Sequence, residues 1–175
     1  MRILPALAAA IVIAAPAAAQ TGKPAPILTT PEAKDAWTHA VPEVARVTHV
    51  DLNLDVDFAG KTLSGVATLD VLAAAGAKEV VLDVDDLDVI SVTCPKGKPL
   101  PFAIGPRDKE LGSALTVQLE GNKQILIRYK TRPGASALQW LAPELTAGKR
   151  KPYLFSQGQP INNRSWIPTQ DSPGI

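Results

Sequence analysis

The sequence predicts an all-β fold, and three observations carry that prediction. Apolar and polar residues alternate with a period of two over several short segments. Turn-forming residues separate those segments at intervals suited to a sandwich. No window of helical length shows a 3.6-residue apolar period of comparable quality.

The first segment stands apart from that pattern. Arg2 is the only charged side chain before Lys23, and an uncharged stretch runs from Ile3 to Ala19. Its apolar heart, Leu7 to Ala15, is bracketed by Pro5 and Pro16 and ends in Ala17-Ala18-Ala19, a small-x-small cleavage pattern. A membrane span needs about 20 continuous apolar residues, and Pro16 followed by Thr21-Gly22-Lys23 spoils one. Residues 1–19 are therefore expected to be a signal peptide cleaved after Ala19, with a periplasmic or secreted destination and no membrane span in the mature chain. Residues 20–43 form an irregular leader marked by Pro24, Pro26, Pro31 and Pro42, with at most one helical turn around Glu32 to Ala40.

The strands follow. Val50, Leu52, Leu54, Val56 and Phe58 alternate with Asp51, Asn53, Asp55 and Asp57, which describes a half-buried strand. Ala59-Gly60-Lys61 turns the chain, and Leu63 to Leu72 returns as the second arm of a hairpin. Val80 to Val84 is a third strand, and Leu87 to Val92 a fourth, ended by the Pro95–Pro101 loop. Leu115 to Leu119 and Ile125 to Tyr129 are the fifth and sixth, joined across Gly121-Asn122. In the last quarter, Trp140, Tyr153, Phe155 and Trp166 stand among Pro143, Pro152, Pro160, Pro168 and Pro173. Such aromatics either line a recognition surface or, more often, pin loops onto a core.

Composition narrows the chemistry. Lys and Arg number 18 against 17 Asp and Glu, and without Arg2 the charge is balanced. A neutral chain lacks the basic face that displaces counterions from nucleic acid, so no nucleic-acid partner is expected. One cysteine, Cys94, supplies neither an internal disulfide nor a zinc finger; it reads as a small buried hydrophobe at a strand end. His39 and His49, the two histidines, lie ten residues apart without an intervening helix and miss the two-His-plus-carboxylate template of a catalytic zinc. Asp51-x-Asn53-x-Asp55 imitates the start of a calcium loop but has Val56 where glycine belongs and Thr62 where the closing Glu belongs. The acidic run Asp83, Asp85, Asp86, Asp88 reads as a solvated face. Asn163-Arg164-Ser165 fits a glycosylation acceptor, a short pattern frequent by chance. No G-x-S-x-G elbow, Walker loop or G-x-G-x-x-G occurs.

Three longer runs carry a resemblance. Ala137-Leu138-Gln139-Trp140-Leu141-x-Pro143-Glu144-x-Thr146 is followed by Pro152-Tyr153-Leu154-Phe155-Ser156-Gln157-Gly158-Gln159, and then by Arg164-x-x-x-Pro168-x-Gln170-Asp171-x-Pro173. This region resembles the amino-terminal domain of M1-family zinc aminopeptidases, in the branch that contains leukotriene A(4) hydrolase. It departs from the pattern at Thr169, where Cys is usual, and at Gly158, where a bulkier residue is usual. The likeness is dense over 135–175 and diffuse, though consistent in strand order, over roughly 44–130.

The resemblance implies a saddle-like β-sandwich over 44–175, incomplete at its C-terminus. It implies a separate catalytic domain, absent from this chain, that holds zinc through an H-E-x-x-H helix and carries a G-x-M-E-N loop. Neither motif occurs here, so the chain alone is expected to bind no metal, contain no catalytic residue and be inactive. In a full-length enzyme, an exported metallopeptidase, it would form part of the cleft where N-terminal residues are removed from peptides. Gln159, with Gln157 alongside, is the expected substrate-binding pair, holding the peptide's free amino terminus. An amide oxygen can accept from an ammonium, which only donates. Arg164 and Asp171 are expected to be structural, packing the domain against the catalytic one. A free-standing secreted binding module, with Trp140–Trp166 as its ligand face, is the alternative.

Overall fold

A computed structural model describes residues 35–172 and Ile175; the expected signal peptide and most of the leader's prolines lie outside the described residues. Nine strands follow in chain order: β1 Ala45–Asp57, β2 Thr62–Ala73, β3 Glu79–Val84, β4 Asp88–Thr93, β5 Phe102–Ile104, β6 Ser113–Gln118, β7 Gln124–Lys130, β8 Leu138–Leu141 and β9 Tyr153–Ser156. They form a four-stranded sheet in the order β1-β2-β7-β4, a three-stranded sheet β3-β6-β5 and a two-stranded hairpin β8-β9. All pairings are antiparallel.

The two larger sheets share one core. Leu69 of β2 and Ile125, Ile127 and Tyr129 of β7 meet Leu82 of β3 and Leu115 of β6 there, all fully buried. Alternation decides which side chains enter: in β7, Ile125, Ile127 and Tyr129 are buried while Arg128 and Lys130 are exposed. Burying each large aliphatic side chain contributes roughly 1.5–3 kcal/mol.

The six strands read from the sequence are all present, with shifted ends. β1 begins earlier, at Ala45, and a bulge between Val47 and His49 resets its register. The predicted β1–β2 hairpin forms. Gly65 in β2 has a specific reason: a Cβ there would overlap the backbone carbonyl of Asn53 in β1. Around Asp35 to Ala40 the chain makes a turn and no helix, within the expected limit of one helical turn. Three features go beyond the expectation, the first being the hairpin β8-β9. A short strand, β5, follows the Pro95–Pro101 loop and pairs with β6. The strands joined across Gly121-Asn122, β6 and β7, do not pair with each other. Glu120 and Gly121 take positive φ (46° and 78°), and the chain passes from one sheet to the other. β6 already has β3 and β5 as neighbours, and β7 has β2 and β4, so no ladder edge remains between them.

A second, smaller cluster fixes the hairpin β8-β9 to the outer end of β1–β2. Leu63, Ala135 and Leu138 are buried there, with Leu54, Trp140, Leu154 and Trp166 packed against them. Phe58 meets Trp140 edge to face at 5.6 Å between ring centroids.

Candidate functional site

The aromatic–proline stretch divides in two. Trp140 and Trp166 pack inward on Leu63 and pin the hairpin. Leu145, Tyr153 and Phe155 face outward, 69%, 57% and 39% exposed. With the two tryptophans half-buried in packing, the outward aromatic surface reduces to Tyr153 and Phe155.

Beyond β9 the chain enters the loop that carries both candidate glutamines. The Gln157 amide donates to the Ala137 carbonyl (2.8 Å), extending the hairpin by one residue. The loop then closes on itself. Gln157 Oε1 accepts from the Gln159 amide (3.2 Å), the Asn162 amide donates to the Gly158 carbonyl (2.7 Å), and Asn162 Nδ2 donates to the Gln159 carbonyl (3.0 Å). Ser165 Oγ ties it down by accepting from the Ala137 amide (3.0 Å) and donating to the Asn162 carbonyl (2.7 Å).

Both glutamines are exposed, but their side chains differ in availability. The Gln157 oxygen is engaged by its own loop. The Gln159 side-chain amide makes no hydrogen bond among the described residues, which leaves its oxygen free to accept one. Gly158 between them is held close to Asn163, whose side chain a Cβ at 158 would overlap. Asn163 is itself fixed: its Nδ2 donates to Asp171 (3.2 Å), and its Oδ1 accepts from Trp166 Nε1 (3.4 Å). That engagement, and the burial of Arg164 and Ser165, keeps the glycosylation-like triplet inside the folded domain.

Beneath the loop lies a buried ionic cluster that corrects two expectations. Asp83 is fully buried rather than part of a solvated face. It accepts from Thr38 Oγ1 (2.5 Å), the His39 amide (2.7 Å) and the Asp171 amide (2.9 Å). Arg164, 2% exposed, lies 3.8 Å from Asp83 and 3.4 Å from Asp171. It also donates to the carbonyls of Leu111, Trp37 (both 2.7 Å) and Asp171 (3.1 Å). Arg164 and Asp171 are structural, as expected, but they work inside this domain and not on a face toward another. They join the leader, β3, the β5–β6 loop and the last segment. The rest of the acidic run is outside the cluster: Asp85 pairs with Arg107 (2.8 Å) and Asp88 with Arg132 (2.6 Å), both part-exposed.

No signal in local sequence marked Asp83 as buried, because by alternation it falls on the same face of β3 as the half-buried Glu79 and Val81, opposite Val80, Leu82 and Val84. The sequence names Gln170 only as part of a motif and gives it no role. Its side chain bridges both sheets, accepting from the Val47 amide (2.8 Å) and donating to the carbonyls of Ala45 (2.9 Å) and Val81 (3.2 Å).

His49 is exposed on β1, and the His39 backbone serves Asp83. Among the described residues no three His, Cys, Asp or Glu side chains are grouped to hold a metal ion. The donor set here does not fit a zinc site, and no chemical step is assigned to one in this chain.

Comparison with known proteins gives this loop its context. The model of the peptidase M1 N-terminal domain matches residues 46–175. The chain belongs to that family. Leucine aminopeptidase 2 of Yarrowia lipolytica is 39% identical over 146 residues, covering 81% of this chain and 22% of its own length. Leukotriene A-4 hydrolase of Xenopus laevis is 37% identical over 148 residues, covering 81% and 24%. Among solved structures, yeast LTA4 hydrolase in complex with bestatin superposes with a TM-score of 0.74 at 34% identity, over 83% of this chain and 24% of that one. A Deinococcus radiodurans M1 zinc metallopeptidase (TM-score 0.52, 21% identity) shares the fold. This M1 N-terminal domain thus spans less than a quarter of the length of the Yarrowia, Xenopus and yeast relatives.

Proposed function

We propose that this domain is the substrate-cleft portion of an exported zinc aminopeptidase of the M1 family, and that Gln159 receives the free amino terminus of the peptide. The observation that carries the reading is the contrast within the Gln157–Gln159 pair. One amide oxygen locks the loop; the other is exposed on that locked loop and has no partner among the described residues. A preorganised acceptor loses little conformational freedom on binding an ammonium. The zinc, the attacking water and the general base belong in this reading to a catalytic domain that the relatives' extra length accommodates. Export rests on the sequence of residues 1–19.

Two measurements test the reading. The purified 175-residue chain should release no amino acid from aminoacyl anilides, and turnover by the pure chain would overturn the division of labour. In the full-length enzyme, Gln159→Ala should raise KM for peptides by roughly two- to tenfold, the worth of one neutral-acceptor hydrogen bond of about 0.5–1.5 kcal/mol. Unchanged KM and kcat would remove Gln159 from the site. Secretion of a reporter fused after Ala19, set against retention of one lacking residues 1–19, tests export.

A further inference from the structure

The described chain enters the domain beside the loop that carries Gln159. Trp37 stands at that entry and is 58% exposed, whereas Trp140 and Trp166 are half-buried in packing. Its backbone is nevertheless fixed: the Trp37 amide donates to Asp35 Oδ1 (2.8 Å), and its carbonyl accepts from Arg164 Nη2 (2.7 Å). Asp35, Trp37 and Glu110 line a groove of about 500 Å³ together with Pro160, Ile161 and Asn162. The loop side of that groove is held as well, since Asn162 donates to the Gln159 carbonyl (3.0 Å) and accepts from Ser136 Oγ (3.1 Å). Glu110 is held at its amide by Asp108 Oδ1 (2.7 Å), while its carboxylate is exposed with Lys109 at 3.8 Å. The groove thus offers an exposed indole, a proline ring and two carboxylates on a preformed frame, which a ligand can enter at little cost in ordering the protein.

The segment that leads into this groove has matching chemistry. Residues 20–34 precede Asp35, outside the described residues, and carry Pro24, Pro26 and Pro31, the apolar pair Ile27-Leu28, and Lys23 and Lys34 against one acid, Glu32. Proline-rich segments dock on exposed aromatic rings because their backbone is already restricted and loses little freedom on binding. The excess of lysine in the segment complements the two carboxylates of the groove. Reach is ample: the four residues from Pro31 to Asp35 span up to about 14 Å, and the eleven from Pro24 up to about 38 Å. Attachment at Asp35, itself a groove residue, makes docking intramolecular. Its effective concentration is then on the order of millimolar, which a second copy in dilute solution does not match.

We infer that residues 20–34 of this chain dock in the groove lined by Trp37 and Pro160, with their prolines against the indole and their lysines toward Asp35 and Glu110. The leader then acts as a strap fastened to the flank of the loop that bears Gln159. Docking of this kind requires only the groove and the leader, and holds whether or not Gln159 receives a peptide.

Acrylamide quenching of Trp37 fluorescence tests it, with each chain measured against its own Trp37→Phe counterpart so that the signal of Trp37 is isolated. Replacing Pro24, Pro26, Ile27, Leu28 and Pro31 together by Ser in the 175-residue chain should raise the quenching constant of Trp37 roughly twofold or more, because the indole is then covered for a smaller fraction of the time. Quenching of Trp140 and Trp166 should stay unchanged, which shows that the domain has kept its fold. Glu110→Lys, a charge reversal on an exposed side chain, should raise the quenching of Trp37 in the same direction. Equal quenching of Trp37 in the parent chain and in either variant overturns the docking. Protection of Trp37 that grows with protein concentration overturns it too, and assigns the groove to a second copy of the chain.

Discussion

Individual residues in this domain differ most in whether their polar atoms are satisfied. Asp83 and Asp171 place two carboxylates beside one guanidinium, and a network of backbone and side-chain donors around them replaces water. Removing the cation would strand both. Arg164→Met should destabilise the fold by about 3–5 kcal/mol, measured by urea titration at neutral pH. Tyr129 is the opposite case. Its hydroxyl is buried without a partner, and burial pushes the phenol's pKa well above its ordinary value of 10.0. The folded state therefore favours the neutral phenol. That contribution is complete below about pH 10 and is lost as pH rises above it toward the folded value. Tyr129→Phe should be neutral or stabilising by about 1 kcal/mol at pH 7, because no hydrogen bond is lost. The variant should also lose stability less steeply above pH 10 in alkaline denaturation. Gln157 and Gln159 were legible as a pair from the motif. Which one keeps a free oxygen was not, since that depends on where the loop's own amide points.

Elements were legible in proportion to their regularity. β1, β2 and β7 show sustained alternation, and one buried face imposes it. β5 has three residues, all apolar and all exposed, so no buried face imposes an alternation that would announce it. β8 and β9 are four residues each, and their register is set by packing on Leu63 rather than by alternation. At this scale the loop over Asn163 offers a test. Gly158→Ala should weaken the loop and the anchoring of Asn163, and the double change with Asn163→Ala should recover most of the loss, because it vacates the space the Cβ needs. Additive losses in thermal melts of the single and double variants would show that the two residues are not coupled. Gln170 links β1 and β3, strands of two different sheets. Gln170→Glu keeps the acceptor for Val47 but removes the donor to Ala45 and Val81. It should cost about 1–3 kcal/mol in chemical denaturation.

At the scale of the whole molecule, the domain is two open sheets on one core, a hairpin on a second cluster, and a buried ionic junction that ties the leader to the last segment. The outer end of β1 and the face bearing Leu145, Tyr153 and Phe155 carry apolar surface that this chain leaves exposed. Exposed apolar area of that kind marks surfaces made to be covered. Charge balance, the six longest strands, the family and the absence of any H-E-x-x-H motif were determined by the sequence alone, because they depend on composition, local period and residue order. Only the tertiary structure decided that β6 and β7 part into different sheets, that Asp83 is buried, that Gln159 is the open acceptor and that β1 has a free edge. Each of those depends on which distant segments lie side by side, and the same local pattern suits either outcome until long-range packing selects one.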